Sequence, residues 1–84
     1  MSEEIRISDA SAAQAAARRH LEAHFGPGRI KEIRFTKTWY SPGKTRDVWE
    51  IEGIVVLKKG LFSKEERSFS MQIDPETGRV ISFM

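Results

Sequence analysis

The chain has 84 residues, of which 39% are hydrophobic and 31% charged, with no cysteine and a formal net charge of +2. A single domain of this size buries about 60–65% of the surface its unfolded chain exposes, and without cysteine neither disulfides nor thiolate metal sites reinforce it. The net charge is too small to imply a nucleic-acid binder, and the acidic start Met1-Ser2-Glu3-Glu4-Ile5-Arg6 has no seven-residue apolar run, so neither a signal peptide nor a membrane span is expected and the expected setting is cytoplasmic.

Charge is uneven along the chain. Residues 1–46 carry nine Lys/Arg against five Asp/Glu, whereas residues 47–84 carry five against seven. That pattern suits one basic face and one acidic edge, and equally an ordinary solvated surface.

Residues 1–7 are polar and read as a flexible lead-in. Ser8, Asp9 and Ser11 are candidate N-caps, and Ser11 with Gln14 has capping-box spacing. A helix follows. Ala10, Ala13, Ala17, Leu21 and Phe25 recur at three- and four-residue intervals, so they share one stripe, and Gly26-Pro27-Gly28 ends it. Small alanines let the helix axis come close to a sheet.

From Ile30 to Tyr40 the period changes to two, with Ile33, Phe35 and Trp39 on the expected core face and Lys37 interrupting it. Ile30 is out of phase with Ile33, which predicts a bulge near Lys31. Ser41-Pro42-Gly43-Lys44 is a turn. A second strand, Asp47 to Lys59, places Trp49, Ile51, Val55 and Leu57 on one face and Glu50 and Glu52 on the other, but Ile54 and Val56 make its latter half apolar on both sides. Residues 59–64 form a loop, residues 66–73 a third strand and residues 79–83 a fourth. Between the last two, Asp74-Pro75-Glu76-Thr77-Gly78 is a tight turn, proline presetting φ and glycine supplying φ > 0.

Four strands joined by short connections predict an α+β fold: one N-terminal helix packed on a four-stranded antiparallel meander sheet, residues 1–84 forming a single domain. A helix of about 16 residues spans roughly 24 Å and an 11- to 13-residue strand roughly 36–43 Å, so the helix does not shield the whole sheet.

The Ala-rich helix ending at Gly26, the aromatic within Val48-Trp49-Glu50-Ile51, and the run Met71-Gln72-Ile73-Asp74-Pro75-Glu76-Thr77-Gly78-Arg79-Val80 together resemble the PepSY-type domains and, more loosely, the cystatin-like α+β folds. The resemblance spans roughly residues 10–83. It implies a noncatalytic module of the kind associated with secreted or membrane-bound peptidases, which binds or restrains partners. Asp-Pro-x-Thr-Gly is also a generic hairpin turn in which Asp and Thr bond the local backbone.

Three constellations bear on chemistry. His20 and His24, at i and i+4, have the spacing a divalent metal bridges, but Leu21 stands where a zinc-protease helix needs glutamate and no third ligand is evident. They are read instead as helix-end histidines suited to the dipole, and no metal or other cofactor is assigned. Arg29, Lys31, Arg34, Lys37, Lys44 and Arg46 near Phe35, Trp39, Tyr40 and Trp49 supply the ingredients of a single-strand nucleic-acid platform. The expected core positions of Phe35, Trp39 and Trp49, and the repulsion of phosphate by Glu32, Glu50 and Glu52, argue against one. Leu61 and Phe62 sit at a loop tip flanked by Lys58, Lys59 and Lys64; they either dock a protein or lipid headgroups or tuck under the sheet.

No nucleophile, acid/base pair or glycine-rich elbow assembles, so no catalytic residue is assigned and the chain is read as a non-enzyme. The leading expectation is a binding module acting through a sheet face or the 60–63 loop, with Ile54, Val56, Leu61 and Phe62 meeting a protein partner or a second copy. The alternatives are a cystatin-like cone that binds or converts a small ligand, with a pocket lined by Phe35, Trp49, Ile51 and Phe69, and a single-stranded nucleic-acid binder.

Overall fold

The computed structural model describes residues 9–84; the expected lead-in at residues 1–7 and Ser8 as a cap lie outside them. Helix α1 spans Ala10–Phe25, and a short 3₁₀ turn over Pro27–Arg29 leads into strands β1 (Ile30–Ser41), β2 (Val48–Lys59), β3 (Ser63–Ile73) and β4 (Val80–Phe83). The strands pair antiparallel in chain order, so the expected meander with one helix on it is the fold.

Asp9 caps the helix: its carboxylate accepts the Ala12 amide at 2.8 Å. The capping box expected of Ser11 and Gln14 does not form: with Asp9 as the cap Ser11 lies inside the first turn, and Gln14 reaches across to β1 and donates to the Thr38 hydroxyl at 3.1 Å. At the other end Gly26 adopts φ +93°, and its amide returns to the Glu22 carbonyl at 2.8 Å. That positive φ turns the chain out of the helix at a position where a Cβ would be strained.

The buried stripe is Ala13, Ala16, Ala17 and Leu21, while Ala10 is exposed in the first turn. It rests on Trp49, Ile51, Val55, Leu57, Phe69, Met71 and Ile73 from the central strands. Gly53 sits in the middle of that face. A Cβ there would lie 2.2 Å from the Arg34 carbonyl oxygen and 2.9 Å from the Phe69 ring, so the missing side chain is what lets the ring settle.

Strand β1 is bulged twice, near Lys31 as its phase predicts and again between Phe35 and Lys37. The second bulge reverses the strand's faces. Thr38 turns to the helix, and Trp39, expected in the core, turns to solvent at 50% exposure. The apolar face interrupted at Lys37 is the sequence trace of that reversal.

The turn from β3 to β4 closes as its residues require. Asp74 accepts the Glu76 amide at 2.8 Å, Thr77 accepts the Arg79 amide at 3.2 Å, and Gly78 adopts φ +76°. Beyond β4 the Met84 amide and carbonyl both bond Ser70, extending the pairing by one residue.

Candidate docking surface at the hairpin tip

The sheet has a helix side and an open side, and charge organises the open one. Arg34 on β1 contacts Glu32 on its own strand and, across the width of β2, Glu66 on β3, each at 3.3 Å. In the register Val56 lies between Glu32 and Glu66, and it is only 2% exposed. Long charged side chains cover apolar surface with their stems while the heads stay wet, so this clasp closes over the valine that the helix cannot reach. Ile54, one step along, is half-buried. Lys37 pairs with Glu52 at 4.0 Å and lies over the Trp39 ring at 4.0 Å, giving the ladder of alternating charge expected of a wet face.

The residues singled out for partner binding are therefore separated. Val56 is sequestered within the chain and Ile54 partly so, whereas Leu61 and Phe62 are 91% and 99% exposed. The two do not tuck under the sheet edge. Lys59 pairs with Ser63, leaving Gly60, Leu61 and Phe62 as a three-residue loop whose geometry depends on Gly60 at φ +74°.

This tip stands beyond the rest of the sheet. Pairing with β1 begins at Ile30 opposite Leu57, and pairing of β3 with the C-terminal strand ends at Ser70, so among the described residues Lys58 to Lys64 form a ribbon without a third strand. Lys58 and Lys64 face each other directly across it. Like charges opposite each other in a ladder are destabilising, and among the described residues no carboxylate pairs with either lysine or with Lys59. The nearby acids are engaged elsewhere, Glu65 by Arg67 at 3.0 Å and Glu66 by Arg34.

At the helix C-terminus the two histidines stack at 6.3 Å, and both meet Phe83 edge to face, at 4.8 Å from His20 and 5.0 Å from His24. Burial, and secondly the neighbouring His24, hold the His20 imidazole below its ordinary pKa. Among the described residues no three His, Cys, Asp or Glu side chains cluster for a metal. Beside them a cleft of about 330 Å³ opens between His24, Phe25, Val55, Arg67, Phe69 and Phe83. Of the four residues expected to line a pocket under the helix, Trp49, Ile51 and Phe69 are core, Phe35 packs against it, and only Phe69 also borders this cleft. Sequence reasoning missed the cleft because Phe83 and Arg67 come to it from separate strands.

Tyr40 donates its hydroxyl to Asp47 and packs on Trp49 at 5.4 Å. That hydrogen bond, followed by burial and the charges of Asp47 and Glu76, raises its pKa. Trp39 is half exposed on the open face with Lys37 over its ring, and Glu32, Glu50, Glu52 and Glu66 share that face and repel phosphate. Among the described residues no polar or charged side chain is core, and no helix is long and apolar enough to cross a membrane.

The fold and the tip together define a small α+β domain carrying an apolar, lysine-flanked hairpin. Comparison with protein-family models, with curated proteins and with solved structures finds no match to this chain.

Proposed function

We propose that this chain is a noncatalytic binding module that docks through the tip of its β2–β3 hairpin, self-association being one form such docking takes. The observation that carries the reading is the exposure of Leu61 and Phe62 side by side at an apex, in a domain whose remaining large apolar side chains mostly reach the core or its margin. Adjacent apolar residues held in water at a projecting tip have a cost and no folding role, which is the pattern of a contact made with something else. The resemblance to PepSY-type modules, which bind or restrain partners, points the same way.

The test is photo-crosslinking in cells from position 62 and, as control, from exposed Glu76 in the β3–β4 turn. Sedimentation of the wild type and a Leu61→Ser/Phe62→Ser variant over a concentration series accompanies it. An adduct from position 62 alone, or self-association that the variant abolishes, supports docking through the tip. No adduct to protein or to lipid, together with no difference in sedimentation, overturns it.

A further inference from the structure

Resting on the docking reading above, we infer that the surface the tip meets is an anionic phospholipid bilayer. Leu61 and Phe62 enter the acyl boundary, and Lys58, Lys59 and Lys64 contact the headgroup phosphates and carboxylates.

The order of chemistry along the hairpin matches the depth profile of a bilayer surface. Two apolar side chains form the apex and three lysines follow within three residues of it on either arm. Interfacial segments bury their apolar part about 5–10 Å into the headgroup boundary, and strand residues rise about 3.3 Å each. An apex at that depth places the lysines among the headgroups.

The lysines are distributed around the ribbon rather than along one face of it. Strand alternation puts Lys58 and Lys64 on the open side and Lys59 on the helix side. A groove on a protein presents its counter-charges from particular walls, whereas a headgroup layer surrounds an inserted tip with negative charge on every side.

The cations are also unspent. Among the described residues none of the three lysines has a carboxylate partner, Glu65 and Glu66 being held by Arg67 and Arg34. The direct opposition of Lys58 and Lys64 is a local repulsion that a sheet of negative charge relieves. The projection of residues 58–64 past β1 and past the end of pairing at Ser70 lets the apex reach a flat surface without the sheet body obstructing it.

The experiment is co-sedimentation of the full chain with vesicles of phosphatidylcholine alone and of phosphatidylcholine mixed with phosphatidylserine. Binding is expected to the mixed vesicles only and to fall with added salt. Leu61→Ser/Phe62→Ser should reduce partitioning by at least about tenfold, and each lysine replaced by glutamine by about fivefold. All these side chains are at the surface, so the variants keep the fold. A Phe62→Trp variant adds a direct readout, a blue shift of emission on mixed vesicles. Absence of binding to mixed vesicles, or equal binding by the tip variant, overturns the inference. If the lipid arm fails while position 62 still crosslinks to a protein, the lipid inference falls and the docking reading stands; if vesicle binding is absent, position 62 gives no adduct to protein or lipid and the tip variant self-associates as wild type does, both fall.

Discussion

The rings of Phe35 and Phe69 meet edge to face at 6.1 Å although β1 and β3 never pair, because the residue between them in the register is Gly53. The glycine gives up its own packing so that two aromatic side chains from opposite flanks close over β2. Gly53→Ala should therefore cost about 2–3 kcal/mol, since the new methyl meets a backbone carbonyl that cannot swing away. Urea unfolding measures it, and a loss below about 0.5 kcal/mol would show that the close approach is not needed.

The helix start offers a paired comparison. Asp9→Ala removes the carboxylate that accepts the Ala12 amide and should lower stability by about 1 kcal/mol. Ser11→Ala, at a site with no capping bond, should change it by less than about 0.5 kcal/mol. Equal losses in thermal unfolding would mean the cap has been misassigned.

The two tryptophans separate the faces of the sheet. Trp49 is core and Trp39 is half exposed under Lys37, so Trp49→Ala should cost about 3–5 kcal/mol and Trp39→Ala about 1 kcal/mol or less. Unfolding curves that ranked them the other way would place the second bulge of β1 elsewhere.

Opposing lysines at the tip make a stability prediction of unusual sign. Lys58→Glu replaces a repulsive cross-strand pair by an attractive one and should raise stability by about 0.2–1 kcal/mol while removing one of the cations proposed to meet an anionic surface. Denaturation in low salt would reveal the gain. Its absence would mean the ribbon already holds the two ammonium groups far apart.

His20 sets a pH dependence. Its folded pKa lies below the ordinary 6.5 through burial and the nearby His24, so between the folded and ordinary values the unfolded chain binds more protons and stability rises with pH. The contribution is present above about 6.5 and is lost as pH falls through the folded value. His20→Gln should flatten that slope in stability measured across weakly acidic pH. An imidazole titrating at or above its ordinary value by NMR would refute the assignment.

Much of this was legible in the residues themselves. The alanine spacing announced a helix lying close on a sheet, Ile30 against Ile33 announced the first bulge, and Asp74 to Gly78 announced the last turn. What the residues concealed was long-range. Trp39 reads as core when the strand is counted by twos, and only the extra residue at the second bulge turns it outward; the lone sign is Lys37 in an apolar phase. Val56 reads as an orphan on the open face, since nothing local reveals that Arg34 and Glu66, more than thirty residues apart, arrive from both sides to cover it. The projection of Leu61 and Phe62 likewise depends on where the neighbouring strands stop, which no pattern within residues 59–64 encodes.

The seven residues from Lys58 to Lys64 touch the folding problem at one end only. All seven are exposed, so substitutions there should leave the glycine-centred aromatic closure and the alanine stripe holding the body together. If docking runs through the tip as proposed, recognition and architecture are separable in this domain, and a different apex grafted between Leu57 and Glu65 should redirect what it meets without asking the scaffold to fold anew.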